Sequence, residues 1–467
     1  MSKKVSEINS TNPYTGQNLA TYDVFDLTRL DSVLDSIEQA QQQWQQTSLQ
    51  ARAQALSDLA VQLRKQQGRL ARLASEEMGK TLASAESEVE KCAWVCDYYA
   101  EQGPAMLVDE HLPTQDDDGV QRFVSYQPLG VVLAIMPWNF PYWQVFRFLA
   151  PALMAGNAVL LKHASNVPGC ALAIEQLLLD AGLSENLLRT VLVPGAKAAA
   201  LIEHPVVKAV TFTGSTEAGR KIAATARRVL KKTVLELGGS DAYIILEDAD
   251  VDLAVEKCVT SRLLNNGQSC IAAKRFIVHT KRYGEFAEKM TAAMARKKMG
   301  DPLDRETDVG PQAREDLCKD LAAQVTESIR LGAVLMCGGE RDKAFYSPTV
   351  LSEVRPGMPA FDEELFGPVA ALIRARSDED AITLANQSMF GLGAAVFTRD
   401  HERGKQIASE QLQAGACAVN DFVKSDPRMP FGGIKASGYG RELGRFGIHE
   451  FTNIKAVVVT RAADDKG

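Results

Sequence analysis

In the stretch Asn265-Asn266-Gly267-Gln268-Ser269-Cys270, a cysteine follows a helix-like segment in a polar, glycine-bearing loop. A thiol flanked by glycine and amide side chains can be reached by a substrate and by backbone N–H donors, as a nucleophilic thiolate requires. The alternative is a half-exposed loop cysteine without a role. Glu236 stands in the apolar run Val234-Leu235-Glu236-Leu237-Gly238-Gly239. A carboxylate drawn out of water there is a general base with a raised pKa, unless it is one half of a structural ion pair. Asn139 is bracketed by Trp138, Phe140 and two prolines. This rigid aromatic setting suits an oxyanion donor, and equally an amide that satisfies the backbone of a turn.

A second group of residues could hold a nucleotide. Gly214 to Gly219 lies where a strand passes into a helix, so its backbone can approach a ligand and the helix start can offer N–H groups to a phosphate. It is not the GxGxxG fingerprint, and by itself it reads as a turn. Lys162, at the end of another strand, is a donor for ribose or phosphate, or simply a solvated lysine.

The elements that must position these groups follow from the apolar periodicity. Helices are expected over 31–47, around residues 56–63 and 70–78, and over 87–100. An irregular stretch then leads to the acidic run Asp116-Asp117-Asp118-Gly119, read as a hairpin turn before a strand at 120–126. From Leu129 short β-rich runs alternate with helices: 131–136, 158–161, 190–193, 207–211, 233–237 and 242–246. Alternation resumes after Cys270 with strands at 276–279, 370–374, 394–398 and 417–420 and helices at 286–294 and 314–331. This is the pattern of parallel sheets covered by helices, hence an α/β fold in which ligands bind beyond the carboxyl ends of strands. Residues 454–460 read as an edge strand that pairs with the early hairpin or with a neighbouring subunit.

Composition bounds the function. The chain has 467 residues, enough for two or three cores, with 46% hydrophobic and 24% charged residues. No apolar run approaches the ~18 residues of a membrane span, and the amino terminus lacks a signal-peptide core, so a cytoplasmic location is expected. A net charge of -7 argues against a general nucleic-acid or membrane surface. The eight cysteines include no CxxC, and the six histidines form no HExxH. We therefore expect reduced thiols and no catalytic metal, with Cys92 and Cys96 as core packing.

Taken together, Pro137-Trp138-Asn139-Phe140-Pro141, Phe212-Thr213-Gly214-Ser215-Thr216, Glu236-Leu237-Gly238-Gly239, Gly267-Gln268-Ser269-Cys270, Glu364-Leu365-Phe366-Gly367-Pro368 and Pro430-Phe431-Gly432-Gly433-Ile434-Lys435 resemble, in order, the NAD(P)-dependent aldehyde dehydrogenase superfamily. The likeness spans nearly the whole chain and is strongest to the succinate-semialdehyde branch. It implies a Rossmann-like cofactor-binding domain (1–108 and 129–238), a catalytic α/β domain (239–436) and a small β extension for oligomerisation (109–128 and 437–467), assembled as a homodimer or homotetramer.

The resemblance also implies roles. Cys270 would be the nucleophile, Asn139 the oxyanion donor, Glu236 the base for thioester hydrolysis, and Glu442 a second acid behind it. Trp138, Lys162, Ser165, Gly214, Ser215, Leu237, Glu364 and Phe366 would hold NAD or NADP. Ser165 stands where NAD-preferring relatives often have Glu; with Lys162 and His163 near, it admits the 2′-phosphate of NADP. Phe148 replaces a lysine of many relatives. Arg147, Phe140, Trp143 and Ser425 would line the substrate tunnel, Arg147 pairing with a carboxylate on the aldehyde unless it is one half of a structural salt bridge. Lys424 and Arg428 are further candidates for that carboxylate, and Leu264 replaces a second arginine of some relatives. The expected reaction is oxidation of succinate semialdehyde to succinate. Alternatives are another small aldehyde, transfer of the acyl group to coenzyme A, disfavoured by Glu236, and a non-catalytic role, disfavoured by intact Cys270, Glu236 and Asn139.

Overall fold

The computed structural model describes residues 7–113 and 120–460. Two α/β sheets form its centre, in agreement with the alternation of short apolar strands and helices. The first has the order Gly438–Tyr439, Lys232–Glu236, Val207–Thr213, Val131–Ile135, Ala158–Lys162, Leu188–Thr190. Its pairings are parallel except for Gly438–Tyr439, which runs antiparallel to Lys232–Glu236. The chain leaves Val131–Ile135 to one side and later returns to its other side with Val207–Thr213. The loops after these two strands carry Asn139 and Gly214, so both lie at a switch point beyond the strands' carboxyl ends.

The second sheet has the order Val334–Cys337, Thr349–Ser352, Val369–Ala375, Arg275–His279, Ala242–Ile245, Gly393–Phe397, Ala416–Val419. Its central strands, Arg275–His279, Ala242–Ile245 and Gly393–Phe397, are buried on both faces, which explains their continuous apolar runs. Only residues 237–241 separate the end of Lys232–Glu236 in the first sheet from Ala242–Ile245 in the second. The carboxyl edge of one sheet thereby meets the amino edge of the other, and Cys270 lies just before Arg275–His279.

Three expectations are refined. The helix expected over 87–100 extends through Leu82–Met106, because Gly103 packs so tightly on Met154 that a Cβ would lie 2.6 Å from Met154 Cγ. Packing thus overrides two residues, Gly103 and Pro104, that read as breakers. A hairpin of Glu7–Thr11 and Asn18–Asp23 was not foreseen; it places the Asn12-to-Gly16 loop at its turn. Residues 454–460 belong to Thr452–Thr460, which pairs antiparallel with Val120–Pro128 along its whole length. Of the two partners expected, it takes the early hairpin, whose other strand is Glu110–His111. The acidic turn at 116–119 lies outside the described residues. Gly438–Tyr439 and Glu442, expected within the extension, join the first sheet and the centre of the site.

The cysteine loop is held by its amides. Asn265, Asn266 and Gly267 all have positive φ, at 56°, 58° and 76°. Such a run persists only where the surroundings fix it. Asn265 Nδ2 donates to the carbonyls of Asn139 (2.6 Å) and Gln268 (3.1 Å). Asn266 Nδ2 donates to those of Gly79 (2.8 Å) and Pro311 (3.1 Å), while its Oδ1 accepts from Gly310 N (2.9 Å). Gln268 Oε1 accepts from Ala313 N at 2.9 Å. A Cβ at Gly267 would lie 2.3 Å from the Gly367 carbonyl carbon. Gly267→Ala is therefore expected to cost about 1–3 kcal/mol of stability, read as a lower denaturant midpoint, and to slow alkylation of Cys270; a variant as stable and as reactive as the parent would show that this contact does not set the loop.

Candidate active site

Cys270 forms part of the wall of two cavities. The first, of about 140 Å³, is lined by Phe140, Trp143, Gln144, Arg147, Phe431 and Ser425, together with one face of the helix Leu82–Met106. The second, of about 260 Å³, is lined by Trp138, Asn139, Gly214, Ser215, Leu237, Glu364 and Phe366. Among the described residues only Cys270 and Gln144 line both. The residues expected at the substrate and most of those expected at the cofactor are thus gathered on opposite sides of one thiol.

Burial pushes the Cys270 thiol up to about 11, against the pull of Arg147 and Lys274. Lys274 is buried and donates to the carbonyls of Ser269 (2.8 Å) and Cys270 (2.6 Å). It also pairs with Glu364 at 3.3 Å. Asn139 Nδ2 donates one hydrogen to the Gln268 carbonyl at 3.0 Å, leaving its second hydrogen for another acceptor.

Behind the thiol lies a dry cluster of charges. Glu236 and Glu442 are both buried, and the Arg147 guanidinium forms an ion pair with Glu442. Burial raises the pKa of Glu236 well above the usual carboxylate range, opposed by Arg147 and assisted by Glu442. Glu442 is raised for the same reason and held back by Arg147. The Arg147 guanidinium also stacks 4.5 Å from the centre of the Phe431 ring. Phe431 and Glu442 exchange backbone hydrogen bonds of 2.6 and 2.7 Å, which fixes the acid beside the arginine. A Cβ at Gly432 would come within 2.7 Å of Glu236 Oε1, so this glycine lets the loop close over the carboxylate.

Arg147 therefore lines the first cavity as expected, but with its charge already shared with Glu442. Ser425 is buried there and accepts from Lys91 Nζ at 2.7 Å. Lys424 and Arg428 are spent on Asp421 and Asp426, both at 2.6 Å. Lys91, on Leu82–Met106, was missed. Its signal was a lysine three residues after Glu88 on a helix face where positions 85, 88, 89 and 92 are buried. Lys274 was missed as well.

On the cofactor side the residues fit a dinucleotide. Ser215 caps the helix Thr216–Arg228, accepting from Ala218 N at 3.3 Å, so the helix start faces the cavity. A Cβ at Gly219 would lie 2.4 Å from Leu237 Cδ2, and one at Gly238 2.5 Å from Glu364 Oε2, so both glycines permit close packing around the cradle. Gly239 N donates to Glu364 Oε1 at 3.1 Å. Lys162 and Ser165 are not among the residues lining this cavity; Lys162 Nζ donates to the His163 carbonyl at 3.0 Å, and Ser165 is exposed. His163 is buried with its pKa lowered to about 4 by desolvation, so near neutral pH it brings no positive charge for a 2′-phosphate.

Among the described residues no group of three or more His, Cys, Asp or Glu could hold a metal ion, and no helix is long and apolar enough to cross a membrane.

A cysteine between a nucleotide-sized cradle and a narrow apolar tunnel, with a buried carboxylate behind it, is the arrangement of a thioester-forming oxidoreductase. The chain belongs to the aldehyde dehydrogenase family, whose model matches residues 1–457. It is 47% identical over 453 residues to a probable succinate-semialdehyde dehydrogenase [NADP(+)] of Synechocystis, covering 96% of this chain and 99% of that one. It is 45% identical to a succinate semialdehyde dehydrogenase [NAD(P)+] of Escherichia coli, covering 96% and 97%. Among solved structures, succinic semialdehyde dehydrogenase from Streptococcus pyogenes in complex with NADP+ is similar, with a TM-score of 0.94 at 37% identity, covering 97% of this chain and all of that one.

Because Arg147 neutralises part of a buried pair of acids, Arg147→Met is expected to lower kcat for butanal, a plain aldehyde, by about tenfold or more. A variant impaired only with carboxylate-bearing aldehydes would show the Glu442 pairing to be idle.

Proposed function

We propose that the chain oxidises succinate semialdehyde to succinate, with NAD or NADP as hydride acceptor and Cys270 as the acyl carrier. The observation that carries this reading is the position of Cys270 in the wall between the two cavities. A thiol there can touch an aldehyde from one side while the nicotinamide is held against the other. The names of the relatives support the substrate, and their printed cofactors support NADP or either nucleotide.

The chain's own groups then act in order. The Cys270 sulfur adds to the carbonyl carbon, and its proton passes toward the Glu236 carboxylate. The oxyanion is held by the second Asn139 Nδ2 hydrogen and the Cys270 N–H. Bound NAD(P) supplies the hydride acceptor; Trp138, Gly214, Ser215, Leu237, Glu364 and Phe366 hold it, with Lys162 and Ser165 assigned to its ribose side. Once the proton taken from Cys270 has passed on to solvent, Glu236 takes a proton from the water that attacks the thioester and returns it to the departing Cys270 sulfur. Because this carboxylate is in place, water rather than coenzyme A receives the acyl group.

Phe140 and Trp143 form the apolar sides of the tunnel, and Arg147 and Ser425 its polar end. A homodimer or homotetramer belongs to the same reading, supported by the strand Thr452–Thr460, which presents Ile454 and Val458 at 60% and 65% exposure on the outer edge of its sheet. So does a cytoplasmic location, supported by eight cysteines that are all free.

Cys270→Ala is expected to abolish aldehyde-dependent cofactor reduction while retaining cofactor binding, read by fluorescence titration. A panel of short aldehydes is expected to give succinate semialdehyde a kcat/KM about 100-fold above butanal. Turnover by the alanine variant, or no preference across the panel, would refute the mechanism or the substrate respectively.

A further inference from the structure

The tunnel contains a cation that the reaction does not use. Lys91 reaches from the helix Leu82–Met106 into the first cavity and has no part in the second. Its ammonium donates to Ser425 Oγ at 2.7 Å and lies 4.3 Å from the centre of the Trp143 ring. Among the described residues no carboxylate is within ion-pairing distance of it.

The charged neighbours account for this isolation. Glu88, one turn earlier, is taken by Lys80 and by the backbone N–H groups of Tyr142 and Trp143, both at 2.8 Å. Asp426 is taken by Arg428, and Arg147 by Glu442. Cys92, on the same helix, is a buried thiol whose own pKa is pushed well up by desolvation, so it stays neutral. Burial and the nearby Arg147 lower the Lys91 ammonium to about 8, outweighing the pull of Asp426 and Glu88. A half-desolvated ammonium without a counter-charge is costly, and a carboxylate brought by the substrate would offset that cost.

We infer that Lys91, with Ser425 as its partner, binds the carboxylate of the aldehyde substrate and sets the preference for carboxylate-bearing aldehydes over plain ones. The inference rests on the proposed oxidation of succinate semialdehyde and adds the residue that recognises its far end. Arg147, shared with Glu442, serves the reacting end as well as the tunnel wall. Lys91 lines the tunnel and, on its outer side, an open groove with Arg64, Glu86 and Glu90, whose charges are paired as Arg64–Glu90 and Arg305–Glu86. An ammonium on Ser425 and Trp143 can pair with a terminal carboxylate, whereas the methyl end of butanal would leave it unpaired.

The sign of the pH dependence follows. In the free enzyme Lys91 is charged below about 8 and neutral above. The ratio of kcat/KM for succinate semialdehyde to that for butanal should therefore fall as pH rises through that value, since the substrate carboxylate stays ionised.

The test measures this ratio between about pH 6.5 and about pH 9.5 for the wild type, Lys91→Met and Lys91→Arg. Lys91→Met is expected to reduce the ratio about 30-fold near pH 7, mainly through KM for succinate semialdehyde. Lys91→Arg is expected to keep it within about threefold and to hold it above pH 8, where the wild type loses it. Equal losses on both aldehydes in Lys91→Met, or a wild-type ratio that does not change with pH, overturn the role of Lys91 and leave the oxidation standing. A wild type that does not prefer succinate semialdehyde to butanal overturns the substrate reading and this inference with it. Should Lys91→Met fail to fold, as judged by its thermal transition, the comparison of wild type with Lys91→Arg decides alone.

Discussion

Two carboxylates, Glu236 and Glu442, are shut away from water beside the Arg147 guanidinium, which pairs with Glu442 and, with Arg441, acts on Glu236, and the rest of the site depends on how that burial is tolerated. An uncompensated buried charge would be expelled or neutralised. Here one acid is paired, and the other has its proton affinity raised by its surroundings. The outcome is a buried carboxyl that holds its proton more tightly than one in water. Each neighbouring feature serves this balance: Phe431 stacks on the guanidinium, Gly432 brings the backbone onto Glu236, and the strand Lys232–Glu236 presents its last residue at the edge where the two sheets meet.

The thiol is governed by the same dryness. Cys270 stands in a loop whose left-handed residues are fixed by Asn265, Asn266 and Gln268 rather than by regular secondary structure. Desolvation raises its pKa, while Lys274 anchors its carbonyl from below. One side of the thiol opens to a cradle built from strand ends and a helix start, the other to a tunnel walled by Phe140 and Trp143. Two cavities that share one thiol in their walls are what the two-sheet architecture provides.

Much of this was legible from local pattern. Strands buried on both faces announce themselves as apolar runs, and the motifs at their ends carried Asn139, Gly214, Glu236 and Cys270 to one place. Less legible was anything that depends on pairing across the fold. Arg147 reads as a guanidinium for a substrate or as half of a structural salt bridge, and which partner holds it is settled only when Glu442, far along the chain, is seen beside it. His163 reads as a possible cation until its burial is seen to keep it neutral. Lys91 reads as one more charge on a helix, because nothing within its own segment shows that Ser425 and Trp143 meet it from other elements. The long helix Leu82–Met106 crosses a glycine and a proline that local preference would stop at, since Met154 packs against the gap.

The central claim is that Cys270 carries the acyl group through the reaction. Rapid-quench mass spectrometry of enzyme mixed with succinate semialdehyde and NADP tests it most directly. During the first turnover the peptide containing Cys270 should gain one succinyl group, at the rate at which reduced cofactor appears, and should lose it as succinate forms. Reduced cofactor forming in that first turnover with no acyl group on Cys270, or with the group on another side chain, would contradict the account.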